Sequence, residues 1–308
     1  MRIGTIKQIW RYAVKSMTGE QLDACTVGLN GIPGDRGWAL RDETTGEITN
    51  GKHLPLLMQC AARYREAPAN GFIPHVDMRF PDGLTIGSDE ADVNAQLTKL
   101  LGKPVSLWPL QPASNTEHYR RASKTARVLG RLARYRVFRA ALPALTSFGQ
   151  ANVELREAFS REPDEPVPDL SMLPPELLEF TSPRGTYFDA FPIHLLTTAS
   201  LEMMKRLNAD ATWDVRRFRP NFFVETEASF KGLVEFEWIG KTLRVGEVEV
   251  QCDVPTERCA MAMYAQAEFP RDDGILRSIR DVANLNLGVY AKVVKPGAAR
   301  VSDVVELI

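Results

Sequence analysis

The segment KTLRVGEVEVQC, residues 241–252, alternates apolar and polar side chains on either side of Gly246. Leu243 and Val245, then Val248, Val250 and Cys252, fall on every second position, the period of strands with one buried face, and the glycine supplies the turn between them. Working outward, residues 218–225, 235–238, 289–294 and 304–308 alternate or run apolar between Gly and Pro punctuation, which predicts further strands. FDAFPIHLLTTASLEMMKRLN, residues 188–208, reads as an apolar strand and then a helix, with Thr197 or Thr198 as cap and Leu201, Met204 and Leu207 at helical spacing. This half is expected to be a β-rich unit with covering helices, for which a barrel is one closed form.

The N-terminal half repeats the pattern. IGTIKQIWRYAV, then residues 37–41, 84–86 and 105–108 read as short strands, with turns at GLNGIPG (28–34), 44–46, Asn50-Gly51, Asn70-Gly71 and 81–83. Residues 88–101 are predicted helical, with Ser88 as N-cap and Gly102 after the end. The fold class is therefore β-rich α+β, with units over 1–108 and 183–308 joined by a connecting region, 109–182, that begins basic and ends Pro-rich and acidic. In that region Arg120, Lys124, Arg127, Arg131 and Arg134 alternate at spacings of four and three, which on one helix makes a stripe. Such a stripe is a solvated face or a docking surface.

Composition removes several classes. The 308 residues are 44% hydrophobic and 25% charged, as in a folded chain of about two domains, and 38 basic against 39 acidic residues give a net charge of -1. There is no global attraction to nucleic acid or to an anionic membrane. Arg2, Lys7, Arg11 and Lys15 interrupt the N-terminus, and the weakly polar run 140–153 falls short of the ~18 apolar residues of a membrane span, so a cytoplasmic location is expected. The cysteines, Cys25, Cys60, Cys252 and Cys259, form no C-x-x-C pair. Phosphate-loop, dinucleotide, zinc-protease and nucleophile-elbow motifs are missing, the four histidines are scattered, and His194 reads as a core residue.

Cys259, in PTERCAM, follows Arg258, and a neighbouring cation favours the thiolate. Adjacent residues on a strand point to opposite faces, however, and taken alone the segment reads better as a buried structural cysteine. The rest of the chain changes that balance. RYAVKSMTGE, GIPGDRGWAL and TNGKHLPLLMQ in the first half, and FPIHLLTTASL, RFRPNFFVE, PTERCAM and NLGVYAKVVKPG in the second, occur in the order found in the two-part MOSC proteins, the family of molybdenum cofactor sulfurase C-terminal domains. The chain resembles that family over about residues 1–108 and 183–308.

The resemblance implies an N-terminal MOSC β-barrel module, a C-terminal MOSC β-barrel domain and a molybdenum-pterin (molybdopterin-type) cofactor. Cys259 takes the position of the metal-ligating, catalytic cysteine, and a soft thiolate suits a metal already held by sulfur. Lys15, Ser16, Arg36, Thr197, Thr198, Ser200, Arg219 and Asn221 match positions that line the cofactor. The implied activity is an oxidoreductase reducing N-hydroxylated compounds, namely amidoximes, hydroxylamines or N-hydroxylated bases. The alternative is a carrier that passes the cofactor, or sulfur on Cys259, to another enzyme. Sulfur-transfer members often carry a pyridoxal-dependent desulfurase upstream, and the sequence begins at the MOSC module, which favours the enzyme. The AMYAQAEFPRDDGIL segment departs from the acidic-Pro-x-Thr-Gly turn of many members, so Gln266 and residues 270–276 are expected to replace it beside the pocket. With no iron–sulfur, flavin or nicotinamide fingerprint, electrons are expected from a separate ferredoxin-like protein docking at the 120–134 stripe.

Overall fold

The computed structural model describes residues 1–69, 71–135 and 174–308, with Phe138, Ala144, Gly149, Asn152, Val153 and Arg156 between the last two segments. The run 140–153 and the Pro-rich acidic end of the connecting region lie largely outside the described residues.

The first half contains β1 (Arg2–Arg11), β2 (Glu20–Leu22), β3 (Ala24–Val27), β4 (Trp38–Asp42), β5 (Glu47–Ile48), β6 (Ala61–Tyr64), β7 (Val76–Arg79) and β8 (Thr85–Gly87). Helix α1 (Val93–Leu101) and β9 (Val105–Pro109) complete it, and α2 (Thr116–Tyr119) and α3 (Lys124–Leu132) follow. The second half runs β10 (Ile193–Thr197), α4 (Thr198–Leu207), β11 (Phe222–Thr226), β12 (Thr242–Val245), β13 (Val248–Glu257), α5 (Asp273–Ala283), β14 (Asn286–Lys295), β15 (Gly297–Arg300) and β16 (Val304–Leu307).

The β12–β13 hairpin forms as its alternation predicts, with Leu243 opposite Val250. Around it seven strands close into a barrel in the order β11, β10, β14, β13, β12, β16, β1, with β1 returning to β11. The first strand of the chain thus lies between β11 and β16, and Ile3, Ile6 and Ile9 join Leu243, Val250, Phe222 and Val289 in the barrel core. Beside the barrel, the three-stranded sheets β5-β4-β9 and β6-β7-β8 pack with α1 around Trp38, Leu57, Met78, Leu97 and Val105. Among the described residues, no helix is long and apolar enough to cross a membrane.

Four expectations need correction. The predicted 88–101 helix begins only at Val93, because the Ser88 hydroxyl accepts from the Val76 amide at 3.0 Å and lies 2.9 Å from His75 Nδ1, tying it to the neighbouring strand. Residues 235–238 form a 3-10 turn, not a strand, and the turn buries Glu235 completely. The 218–225 strand starts at Phe222, since Arg219 has φ 54° and Pro220 brings no amide proton. Finally, the basic stripe does not occupy one helix: Arg120 ends α2, and Arg120, Arg131 and Arg134 converge on Glu179 at 3.8, 3.6 and 2.7 Å. Glu179 is only 5% exposed, and a carboxylate so buried gathers counter-ions.

Candidate functional site

Lys15, Arg36 and Arg219 come from three loops that meet at one end of the barrel. Lys15 and Ser16 leave the end of β1, Arg36 lies in the turn before β4, and Arg219 precedes β11. Ser16, Arg36 and Arg219 have φ of 70°, 52° and 54°. The left-handed region is costly for side chains with a Cβ, and such strain concentrates at functional sites.

Tyr12 is the hub. The Arg36 and Arg219 guanidinium carbons lie 4.6 and 4.1 Å from its ring centroid, and its hydroxyl donates to the Pro220 carbonyl at 3.1 Å. Below it, the buried carboxylate of Asp35 accepts from the Tyr12 amide at 2.9 Å, from Asn221 Nδ2 at 2.8 Å and from Arg36. The Asn221 side-chain oxygen Oδ1 accepts from the His194 amide at 3.1 Å and its backbone carbonyl accepts from the Trp10 amide at 2.8 Å, so Asn221 ties β10 to β1. Arg219 donates to the Met17 carbonyl through Nη1, while its buried Nη2 has no hydrogen-bond partner among the described residues. Burial and then the Arg36 charge lower the Arg219 pKa to about 10.

Lys15 donates to the Tyr187 carbonyl and to Asp189 Oδ1, both at 2.7 Å. Burial lowers its pKa against the pull of Asp189. Ser16 accepts from the Gly51 amide at 2.8 Å. A Cβ on Gly51 would lie 3.1 Å from the Met261 methyl, so the 50–52 loop and the turn following Cys259 lie against each other.

Cys259 follows the end of β13 and caps a 3-10 turn, Ala260–Ala262, with its side chain half-buried. Arg258, in the link just after β13, is buried in the fold. It donates to the Leu287 carbonyl at 2.8 Å and the Phe218 carbonyl at 2.9 Å, and Nη2 reaches His194 Nε2 at 2.6 Å. His194 Nδ1 lies 3.3 Å from the Arg219 carbonyl, so the histidine links the segment bearing Cys259 to the one bearing Arg219. Gly288 makes room for this contact: a Cβ there would stand 2.4 Å from His194 Nε2.

Thr197, Thr198 and Ser200 make other contacts. Thr197 caps α4 and, with Ser200, donates to the buried Glu235, while Thr198 pairs with Thr226. Thr197 lies three residues, about 10 Å of extended strand, beyond His194. Gln266 sits in a turn paired with Phe269, its buried Nε2 without a hydrogen-bond partner among the described residues, and Arg217 holds the segment through the carbonyls of Tyr264 and Pro270 at 3.1 and 2.8 Å. Tyr12, Asp35, Arg258, His194 and Asp189 were not singled out as site residues from sequence. The DR pair in GDRGW and the RC pair in PTERCAM held the signal for Asp35 and Arg258.

A cluster of Lys15, Arg36 and Arg219, with one buried guanidinium nitrogen left unpartnered, fits an anionic group such as a phosphate. Among the described residues no group of three or more His, Cys, Asp or Glu is placed to hold a metal ion.

Residues 183–306 match the family model described as the MOSC domain, and residues 3–117 match the MOSC N-terminal beta barrel domain. The chain belongs to the MOSC family. No curated protein matches it significantly. Among solved structures, this MOSC protein is similar to YiiM from Geobacillus stearothermophilus, at 15% identity over 38% of this chain and 54% of that one, TM-score 0.30. YiiM from Escherichia coli is 18% identical over 41% and 58%, TM-score 0.31. The YuaD protein from Bacillus subtilis is 11% identical over 99% and 95%, TM-score 0.41. The chain spans about half the length of the YiiM structures.

Proposed function

We propose that this MOSC protein is a cytoplasmic reductase of N-hydroxylated small molecules that binds a molybdenum-pterin cofactor of the molybdopterin type and receives electrons from a separate carrier protein. The observation that carries the reading is the meeting of an incompletely partnered cation cluster with the segment bearing Cys259, through the Arg258–His194 contact. Lys15, Arg36 and Arg219 would hold the anionic end of the cofactor. Asp35 and Asn221 fix Arg36 and the loop before β11, and Ser16 fixes the 50–52 loop. Cys259 would supply a thiolate to the metal, and Arg258 with His194 sets the direction in which that cysteine points. When bound, the cofactor supplies a metal centre capable of two-electron oxygen transfer.

The test is metal analysis of freshly purified protein, together with reduction of a model amidoxime by a small chemical reductant. Molybdenum with turnover supports the reductase; molybdenum without turnover on any N-hydroxylated compound supports the carrier. Protein expressed in a molybdenum-competent host with neither metal nor pterin overturns both.

A further inference from the structure

We propose that Asp189 is a self-supplied anion: its carboxylate pairs with the cation cluster and competes there with the anionic group of an incoming ligand. The inference rests on the reading of Lys15, Arg36 and Arg219 as an anion site.

Asp189 Oδ1 lies 2.7 Å from Lys15 Nζ, yet the two side chains differ sharply in exposure, 6% for the lysine and 63% for the aspartate. The carboxylate therefore reaches a buried ammonium from an open side. Lys52 and Arg36 also act on it, and together with Lys15 they hold its pKa below the usual carboxylate range. Arg219, whose Nη2 has no hydrogen-bond partner among the described residues, also feels the Asp189 charge.

The backbone on both sides of Asp189 is fixed. Tyr187, Phe188, Ala190 and Phe191 are buried, the Tyr187 hydroxyl donates to the Pro109 carbonyl at 3.0 Å, and the Phe191 ring stacks on Tyr290 at 5.4 Å. The exposed side chain of Asp189 is therefore placed to swing while its backbone stays in register. The Tyr187 carbonyl already orients Lys15 without help from Asp189. An ammonium has three N–H bonds, and these two contacts use two of them. A phosphate arriving at Lys15 must share the site with a like charge or displace it, and either course weakens its binding.

The two roles open to Asp189, competing with the ligand or orienting Lys15, have opposite consequences when its charge is removed. Full-length wild type, Asp189→Asn, Asp189→Ser and Arg219→Ala, all purified free of cofactor, would be titrated with inorganic phosphate and pyrophosphate at low salt by calorimetry and thermal melting. Competition predicts that both Asp189 variants melt below wild type without ligand, since the cations lose their counter-charge. They should then bind phosphate at least fivefold more tightly, with a larger ligand-induced rise in midpoint. Equal or weaker phosphate binding by both Asp189 variants would overturn the proposal and leave Asp189 as an orienting partner of Lys15. Arg219→Ala separates the two levels: if wild type and Asp189 variants respond to phosphate no more than Arg219→Ala does, the anion site itself is misassigned. If only Arg219→Ala loses the response while Asp189→Asn gains none, the site stands and the competitive role falls.

Discussion

His194 Nε2 accepts a hydrogen bond from Arg258 Nη2 across 2.6 Å, while its Nδ1 faces the Arg219 carbonyl at 3.3 Å. A guanidinium can only donate and a carbonyl can only accept, so these neighbours require a neutral imidazole with its proton on Nδ1. Burial, then the Arg258 charge, pushes the His194 pKa well below its ordinary value. Above about pH 6.5 neither the folded nor the unfolded chain protonates this histidine; below it the unfolded chain takes up a proton that the folded chain refuses. Stability should therefore fall with pH below 6.5 by about 1.4 kcal/mol per pH unit from this group. In urea unfolding between pH 7.5 and 5.5, His194→Gln should show a slope smaller by about one proton, and equal slopes would place His194 among ordinary histidines.

Burying Arg219 beside another guanidinium costs folding stability. Its pKa is lowered to about 10 by burial and by Arg36, which lies against the same Tyr12 ring. Arg219→Met keeps most of the stem, so the empty protein should melt at the wild-type temperature or above. Cofactor occupancy should drop about tenfold or more, from loss of a charge-assisted bond contributing roughly 1.5 to 3 kcal/mol. Lys15→Ala and Arg36→Ala should lose cofactor likewise. Unchanged pterin content in all three would show that the pocket lies elsewhere.

Cys259 is the one thiol expected to matter for turnover. Burial pushes Cys25, Cys60 and Cys252 up to about 12, which leaves almost no thiolate at neutral pH. Serine at 259 should leave fold and pterin content intact and abolish reduction of amidoximes and hydroxylamines. Full turnover by cofactor-loaded Cys259→Ser would remove the ligand assignment.

Several strands were legible from side-chain alternation, although β6 and β7 were not named from it. The β12–β13 hairpin, β14 and β16 stand within a few residues of where the pattern places them, because period-two burial is a local property. What the sequence could not show were decisions made by distant partners. Ser88 was a reasonable helix cap until the Val76 amide claimed its hydroxyl. Glu235 looked like the start of a strand but lies buried with the hydroxyls of Thr197 and Ser200, which come from a helix start 35 residues or more away. Lys15, Arg36 and Arg219 were named from a family resemblance. Their meeting on Tyr12, and the Asp35 carboxylate beneath them, depend on barrel closure through β1 and β11, which no window of sequence contains.

Glu235 gives a prediction opposite in sign to that for His194. Burial raises its pKa in spite of hydrogen bonds from Ser200 and Thr197, and its Oε1 has no partner among the described residues. A carboxyl whose folded pKa lies above its unfolded one contributes fully below the unfolded pKa, near 4.3, and that contribution is lost as pH rises through the folded value. Glu235→Gln has no such penalty at high pH. The variant should gain stability over wild type at pH 8, and the gain should shrink toward pH 5 in urea unfolding. A constant difference across that range would mean that Glu235 ionises as it does in water.

Electron delivery supplies the last test, because the proposed reductase needs a partner and the basic region is where we place its docking. The five-residue stripe is not uniform. Arg120, Arg131 and Arg134 surround Glu179, and Arg120 also meets Glu117 at 2.9 Å, so reversing their charges would disturb the fold as well as any docking. Among the described residues, Lys124 and Arg127 face no carboxylate within ion-pair distance, and they sit in the first turns of α3, which the Ser123 hydroxyl caps at 3.1 Å. They are the residues whose charge is best placed for an acidic carrier. Lys124→Glu with Arg127→Glu should slow turnover driven by an acidic ferredoxin-like protein at low salt. Turnover with a small chemical reductant should remain at the wild-type rate, and the difference between the proteins should narrow at high salt, where the wild-type attraction is screened. If carrier-driven rates at low salt match wild type, the first turns of α3 are a solvated surface and the donor docks elsewhere.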